Sequence, residues 1–328
     1  MFARLRTVGF SRHYLTRVAL PSWWDDALAD NPAGYAQLLM ILSRHLGLDL
    51  RSLQDDAAQP RLKDFGLCKY KKRAGTSDDD LLLSRVIATR AAQLAAAAVA
   101  RPYTPLPSAA DLRLSILEYA PWVGFEHLLD YCWGAGIPVL HVNLFPTGAK
   151  RPEGFTLRVA GRPVVVLCRD EKQPSWQLFI LAHELGHVAC GHIPENGAIL
   201  DEKVQENEPD AEEKEADRYA LELLTGRPTT CINASGRWPN AGELARMAAE
   251  FGKRNAVNPG HVVLNYAHSM KGLNFYPVAR AALNLLDPEA DAVAAVRDRL
   301  AENLDWERLP EDSSEFLMRM TRQEVDEP

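Results

Sequence analysis

Apolar positions recur at helical spacing through most of the first hundred residues. Tyr35, Leu38, Leu39, Leu42 and Leu46 share one face of a 3.6-residue period, Asn31-Pro32 supplies a cap and a first-turn proline, and Gly47 stops the run. Asp49 caps a short second helix through Leu53. This pair has the outline of the first two helices of a helix-turn-helix, yet no recognition helix follows, so a helical packing module is the reading adopted. A basic, irregular stretch with Lys63, Lys69, Lys71, Lys72 and Arg73 leads to Ser77 and three aspartates, which open a long helix to Arg101. Its alanine-rich end, Ala91–Ala100, is strong helix-forming sequence rather than linker.

Pro102, Pro105 and Pro107 then mark the expected boundary. Helices are predicted near Ser108–Tyr119 and Val123–Trp133, the latter ending at Gly134. The period next shortens to two strand-like runs, Pro138–Val142 and Phe155–Ala160, and Gly161-Arg162 turns the second into Val164–Cys168 as a hairpin. Pro174-Ser175 starts a helix running from Trp176 to about Cys190, and further helices begin at Pro209-Asp210 and after Pro259. The expectation is an α+β fold, mainly helical, with a small sheet beside the Trp176 helix. Three parts are expected: a helical N-terminal module over 1–101, a mixed domain over 108–227, and a helical C-terminal region over 228–328.

Composition changes this picture little. The 328 residues are 47% apolar and 25% charged, ordinary for a globular chain. The longest uncharged apolar run, Tyr131–Leu140, is broken by Gly and Pro and falls far short of the roughly 20 residues a bilayer span needs. The amino terminus has no hydrophobic stretch followed by a cleavage site, so no membrane partner is expected. Five scattered cysteines with no Cys-x-x-Cys pair suggest neither a disulfide framework nor a zinc ribbon, and a reducing cytoplasm is the expected compartment. The net charge of -7 hides an asymmetry: residues 1–101 carry 15 Lys+Arg against 10 Asp+Glu, which leaves -12 on the remainder. A basic first third could contact nucleic acid, although a solvated basic surface is the more ordinary reading.

Chemistry concentrates in His183-Glu184-Leu185-Gly186-His187. Histidines four apart lie on one helix face and can reach one ion, while Glu184 projects from the adjoining stripe. Leu178, Leu181, Leu185 and Val188 form an apolar stripe, and Trp176, Phe179 and Ile180 cover most of the rest. Two histidines and a glutamate in so apolar a helix would be costly to bury without a metal. A catalytic zinc wants a third protein ligand and an open position. The all-histidine continuation fails, because position 193 is Ile193, position 190 is Cys190, and His192 misses by one. A carboxylate on another helix is then sought, and the candidate is Glu213 in Glu213-Lys214-Glu215-Ala216-Asp217, which carries the Glu-x-x-Ala-Asp spacing of glutamate-ligand zinc sites 26 positions after His187. Asp217, one turn on, would accept a hydrogen bond from the far nitrogen of His183. Glu212 and Glu215 compete as neighbouring acids, and Asp210 with Glu213 is also a capping-box spacing.

With these residues in place the chain resembles the ImmA/IrrE metallopeptidases. The resemblance rests on Gly136–Pro138 before a strand, a hairpin ending at Val164–Leu167, the phrase FILAHELGHVACGH, and EKEADRYALELL, and it covers about Gly134–Leu224. Trp23-Trp24 and the helix pair after Pro32 resemble, less specifically, the N-terminal helical module of some members. The resemblance implies a zincin-like domain in a cytoplasmic zinc protease that cleaves helix-turn-helix repressors in stress, prophage or mobile-element responses. Carried over by position, His183, His187 and Glu213 hold Zn2+ and Glu184 is the general base, while Tyr219 packs. An extended peptide would add to an exposed hairpin edge near Phe155–Ala160. His261, Tyr266 and His268 are possible oxyanion partners, though each is more simply packing or surface. The rival readings are a DNA- or repressor-binding regulator with a structural zinc, against which Glu184 speaks, and a zinc hydrolase of a small molecule, which no ligand excludes.

Overall fold

The computed structural model describes residues 1–63, 68–70, 78–147, 149, 151–194, 198–201, 211–229, 232, 238–270 and 274–322. The chain begins with short helices α1 (Phe2–Arg6) and α2 (Arg12–Tyr14), the second continuing as a π-helical turn over Leu15–Ala19. Helix α3 (Pro32–His45) starts where expected, with the Asn31 side chain accepting from the Gly34 N–H, and α4 (Leu50–Gln54) starts with Asp49 accepting from Ser52. Strand β1 (Cys68–Tyr70) precedes the long helix α5 (Asp78–Ala98); Ser77, its expected start, lies outside the described residues.

Helices α6 (Ala109–Leu117) and α7 (Phe125–Gly134) lead into β2 (Val139–His141), β3 (Gly154–Val159) and β4 (Arg162–Leu167). Then come α8 (Pro174–Ala189), β5 (Ala198–Asp201) and α9 (Ala211–Thr225). The C-terminal helices are α10 (Ala241–Asn255), α11 (Pro259–Ser269), α12 (Tyr276–Leu286), α13 (Ala292–Asn303) and α14 (Glu311–Met320). The fold is a mainly helical α+β arrangement. Among the described residues no helix is long and apolar enough to cross a membrane.

The strands form one sheet in the order β1-β5-β3-β4-β2, in which β3 pairs antiparallel with both β4 and β5. The expected hairpin is therefore present, but its Phe155 edge is not exposed: Gly154–Leu157 pair with Ala198–Asp201. An added strand runs there from within the same chain, in a stretch the apolar pattern did not mark.

Alternation sorts the sheet's residues between two layers. Phe155 and Leu157 stand opposite Val166 and Val164, and all four pack into a core with α5 and the N-terminal helices. Gly154 and Thr156 stand opposite Leu167 and Val165 on the other face, which α8 covers. Phe316, Leu317 and Met320 of α14 complete the first core. Across that join, Glu315 accepts from the Ser22 N–H at 2.9 Å, Arg44 pairs with Asp312 at 2.7 Å, and Arg319 donates to the Leu20 carbonyl at 2.6 Å. A third core joins α10, α11 and α12.

Candidate metal centre

Helix α8 is buried on nearly every side, and from Gln177 through Val188 only Phe179 is partly exposed. Its polar residues therefore sit in the core: Glu184 is 1% and His187 0% exposed. Burial of this kind is tolerated only where the polar groups meet partners. The partners come from α9, which crosses α8 at a point of close backbone approach. A Cβ on Gly186 would stand 2.8 Å from the Ala216 backbone, so glycine on one helix and alanine on the other allow the two to touch.

That contact sets what α9 delivers. Residues Glu213, Ala216, Ala220 and Leu223 form its buried stripe, and Glu213 lies at the end nearest the histidines. The His183 and His187 Nε2 atoms stand 3.1 Å apart; Glu213 places one oxygen 3.3 Å from the first and the other 3.4 Å from the second. The three residues form a buried group able to hold a metal ion. Two imidazole nitrogens and one carboxylate oxygen match the donor set of a catalytic zinc site. Asp217 Oδ1 accepts from His183 Nδ1 at 2.9 Å, the bond expected from its spacing, and it leaves Nε2 as the nitrogen facing Glu213. Asp210, the competing cap partner of Glu213, lies outside the described residues.

Glu184 stands beside this group. It accepts a 2.6 Å hydrogen bond from the Thr156 hydroxyl, which reaches it from the α8-facing side of β3. Gly154, two residues earlier on that face, lets the helix come close: its Cβ would lie 2.7 Å from Ile180 and 3.2 Å from Glu184 Oε1. Buried Cys168 lies in the same charge field, and burial together with Glu184 raises its thiol above the ordinary range. Thr156 was not singled out in the sequence, where a threonine in a strand carries no mark of its partner.

Two further residues join the centre. Helix α8 closes with a Schellman arrangement: Gly191 adopts φ +73° and donates to the Val188 carbonyl, and the His192 N–H reaches the His187 carbonyl at 3.1 Å. The chain is thus folded back, and His192 Nδ1 meets His187 Nδ1 at 3.0 Å while its Nε2 meets Glu215 at 3.0 Å. His192 misses the spacing of a third histidine ligand, yet it orients one of the pair. The glycine after the helix was the available signal.

The other candidates fall elsewhere. Tyr219 is buried and donates to the Pro107 carbonyl, a packing role. Tyr266 packs on Phe275 in the C-terminal core and His268 is exposed. His261 is buried, its pKa lowered to about 4 by that burial, and the Phe179 ring neighbours both it and His183, at 6.1 and 6.3 Å between ring centres. Arg113 on α6, also unmarked in the sequence, donates to the Leu223 and Leu224 carbonyls and to Ala256, tying the C-terminal ends of α9 and α10 together.

Residues 136–252 match the model of the peptidase M78 family, described as the IrrE N-terminal-like domain. The matched domain takes in strands β2 to β5, both helices of the centre and most of α10, about a third of the chain. It supports a metallopeptidase-type function, and a peptidase implies a protein substrate. Neither the curated proteins nor the solved structures give a match to the chain.

Proposed function

We propose that the protein is a zinc-dependent endopeptidase of the cytoplasm that cleaves a helix-turn-helix transcriptional repressor in a stress, prophage or mobile-element response. One observation carries the peptidase part: beside the buried trio of His183, His187 and Glu213 stands a second buried carboxylate, Glu184, which does not belong to the trio. A structural zinc site is closed by its ligands and has no use for such a neighbour, whereas a hydrolytic one needs a base there.

In this reading His183 Nε2, His187 Nε2 and Glu213 hold the zinc, and Asp217 keeps His183 turned toward it. Zinc bound there supplies Lewis acidity, making water acidic near a pKa of roughly 7 and polarising the scissile carbonyl. The Glu184 carboxylate takes the proton from the attacking water and returns it to the leaving nitrogen. Thr156, donating to Glu184 Oε2, holds that carboxylate on the side of α8 that faces the sheet. The repressor as substrate rests on the likeness of residues 136–252 to the IrrE N-terminal-like domain.

The test mixes the purified chain with the repressor encoded nearest its gene, with and without chelator, and reads products by mass. Discrete fragments that vanish with chelator and with Glu184→Gln support the reading. Intact repressor under metal-replete conditions removes the substrate assignment, and fragments that persist in chelator remove the metal mechanism.

A further inference from the structure

Cys190, His192 and Glu215 bring a thiol, an imidazole and a carboxylate within 4.8 Å of one another, just outside the trio of α8 and α9. Cys190 and Glu215 are exposed, while the His192 side chain is only 6% exposed, so the cluster opens to solvent around one fixed ring. Cys190 is a free thiol. Thiolate with imidazole and carboxylate is a donor set for a soft or borderline divalent cation. We propose that these residues form a second site for such a cation, and that its occupation opposes occupation of the inner trio. The antagonism rests on the inner trio being the catalytic metal site.

The opposition follows from where protons must sit. A cation on His187 Nε2 leaves the ring's proton on Nδ1, which faces His192 Nδ1 at 3.0 Å. His192 Nδ1 must then accept, and its own proton lies on Nε2, donated to Glu215 at 3.0 Å. An outer cation needs that Nε2 lone pair. Binding there moves the His192 proton to Nδ1, where it meets the His187 proton head-on. The bond that orients His187 is lost and the inner site weakens. Losing such an orienting bond costs about ten- to a hundredfold in metal affinity, and by reciprocity an inner cation weakens the outer site by the same factor. When the inner trio is empty, His187 can carry its proton on Nε2 instead and the conflict disappears. An excess of soft cation would therefore lower the enzyme's hold on its catalytic metal.

Cobalt(II) reports the two sites separately, because only the outer one contains sulfur. The metal-free full-length chain is titrated with cobalt. The first equivalent is expected to give ligand-field absorption alone, and a second, at least about tenfold weaker, to add intense thiolate-to-cobalt charge-transfer absorption. Cys190→Ser, at an exposed position, should remove the charge-transfer band and keep the first phase. In Glu213→Gln and in His183→Ala, with folding checked by circular dichroism, the thiolate band should appear at cobalt concentrations about tenfold or more below those of the wild type. Absence of the band in the wild type, or its survival in Cys190→Ser, overturns the site. A band at unchanged cobalt concentration in both inner variants overturns the coupling. Failure of the metallopeptidase reading looks different: the first phase is then missing from the wild type while the thiolate band is judged as before.

Discussion

Helices α8 and α9 build one centre from opposite surroundings. On α8 nearly every side chain from Gln177 to Val188 is buried, so its histidines and glutamate each require a partner. On α9 a single buried stripe is flanked by solvent, where acids need none: the Glu215 side chain is 61% and that of Asp217 50% exposed, against 12% for Glu213. A polar residue is informative in proportion to what surrounds it. The same glutamate that compels an explanation on α8 is one acid among several on α9.

The contrast breaks most severely where the helices touch. Gly186→Leu drives a side chain into the Ala216 backbone, and we expect the denaturation midpoint of the metal-free protein to fall by the equivalent of about 3 kcal/mol, with loss of metal binding. An unchanged midpoint with full metal content would mean that α8 and α9 do not make this contact.

Next comes the buried acid of α9. With Glu213 as the proposed third ligand, Glu213→Gln should lower zinc affinity by more than about a hundredfold in competition with a chelator, since losing a ligand exceeds the cost of losing a residue that orients one. The buried acid of α8 should behave in the opposite way. Glu184→Gln is expected to keep about one zinc per chain and to lose at least roughly a hundredfold in cleavage rate. If Glu184→Gln loses the metal while Glu213→Gln retains it, the two carboxylates have exchanged roles.

The exposed acids should then grade downward. Asp217→Asn removes the acceptor facing His183 Nδ1 and should weaken zinc by about ten- to a hundredfold. Glu215→Gln, which still offers an oxygen to His192, should change zinc affinity by less than about tenfold. Equal losses in Asp217→Asn and Glu215→Gln would erase the difference between orienting a ligand directly and orienting it through a second ring.

The same contrast explains what could be read in advance. His183, Glu184 and His187 stand out because fixed spacing coincides with an apolar helix, and Asn31, Asp49 and Ser108 mark helix starts because capping is a local matter. Glu213 was separable from Glu212 and Glu215 by the small residue and acid that follow it, and Ala216 does sit at the Gly186 contact. Thr156 and Arg113 were not legible, since their roles depend on partners 28 and about 110 residues away. Strand β5 was missed for a similar reason, as its place is set by pairing with β3 and not by its own pattern. The pairing of His192 with Glu215 needed the helix-closing turn at Gly191, which aims a histidine that spacing alone had set aside.

The seam between the N-terminal helices and α14 sets a timetable for synthesis. Leu5, Phe10 and Leu15 leave the ribosome long before Phe316, Leu317 and Met320, which share their core, and the bond from Ser22 to Glu315 spans 293 positions. At about 5–20 residues per second, the early helices would wait on the order of 15 to 60 s with apolar surface uncovered. The nascent chain thus offers a long-lived sticky segment to chaperones and to its own neighbours on a polysome. A pause in translation anywhere before Phe316 would prolong that exposure by its full length, whereas one after Met320 has left the ribosome would not.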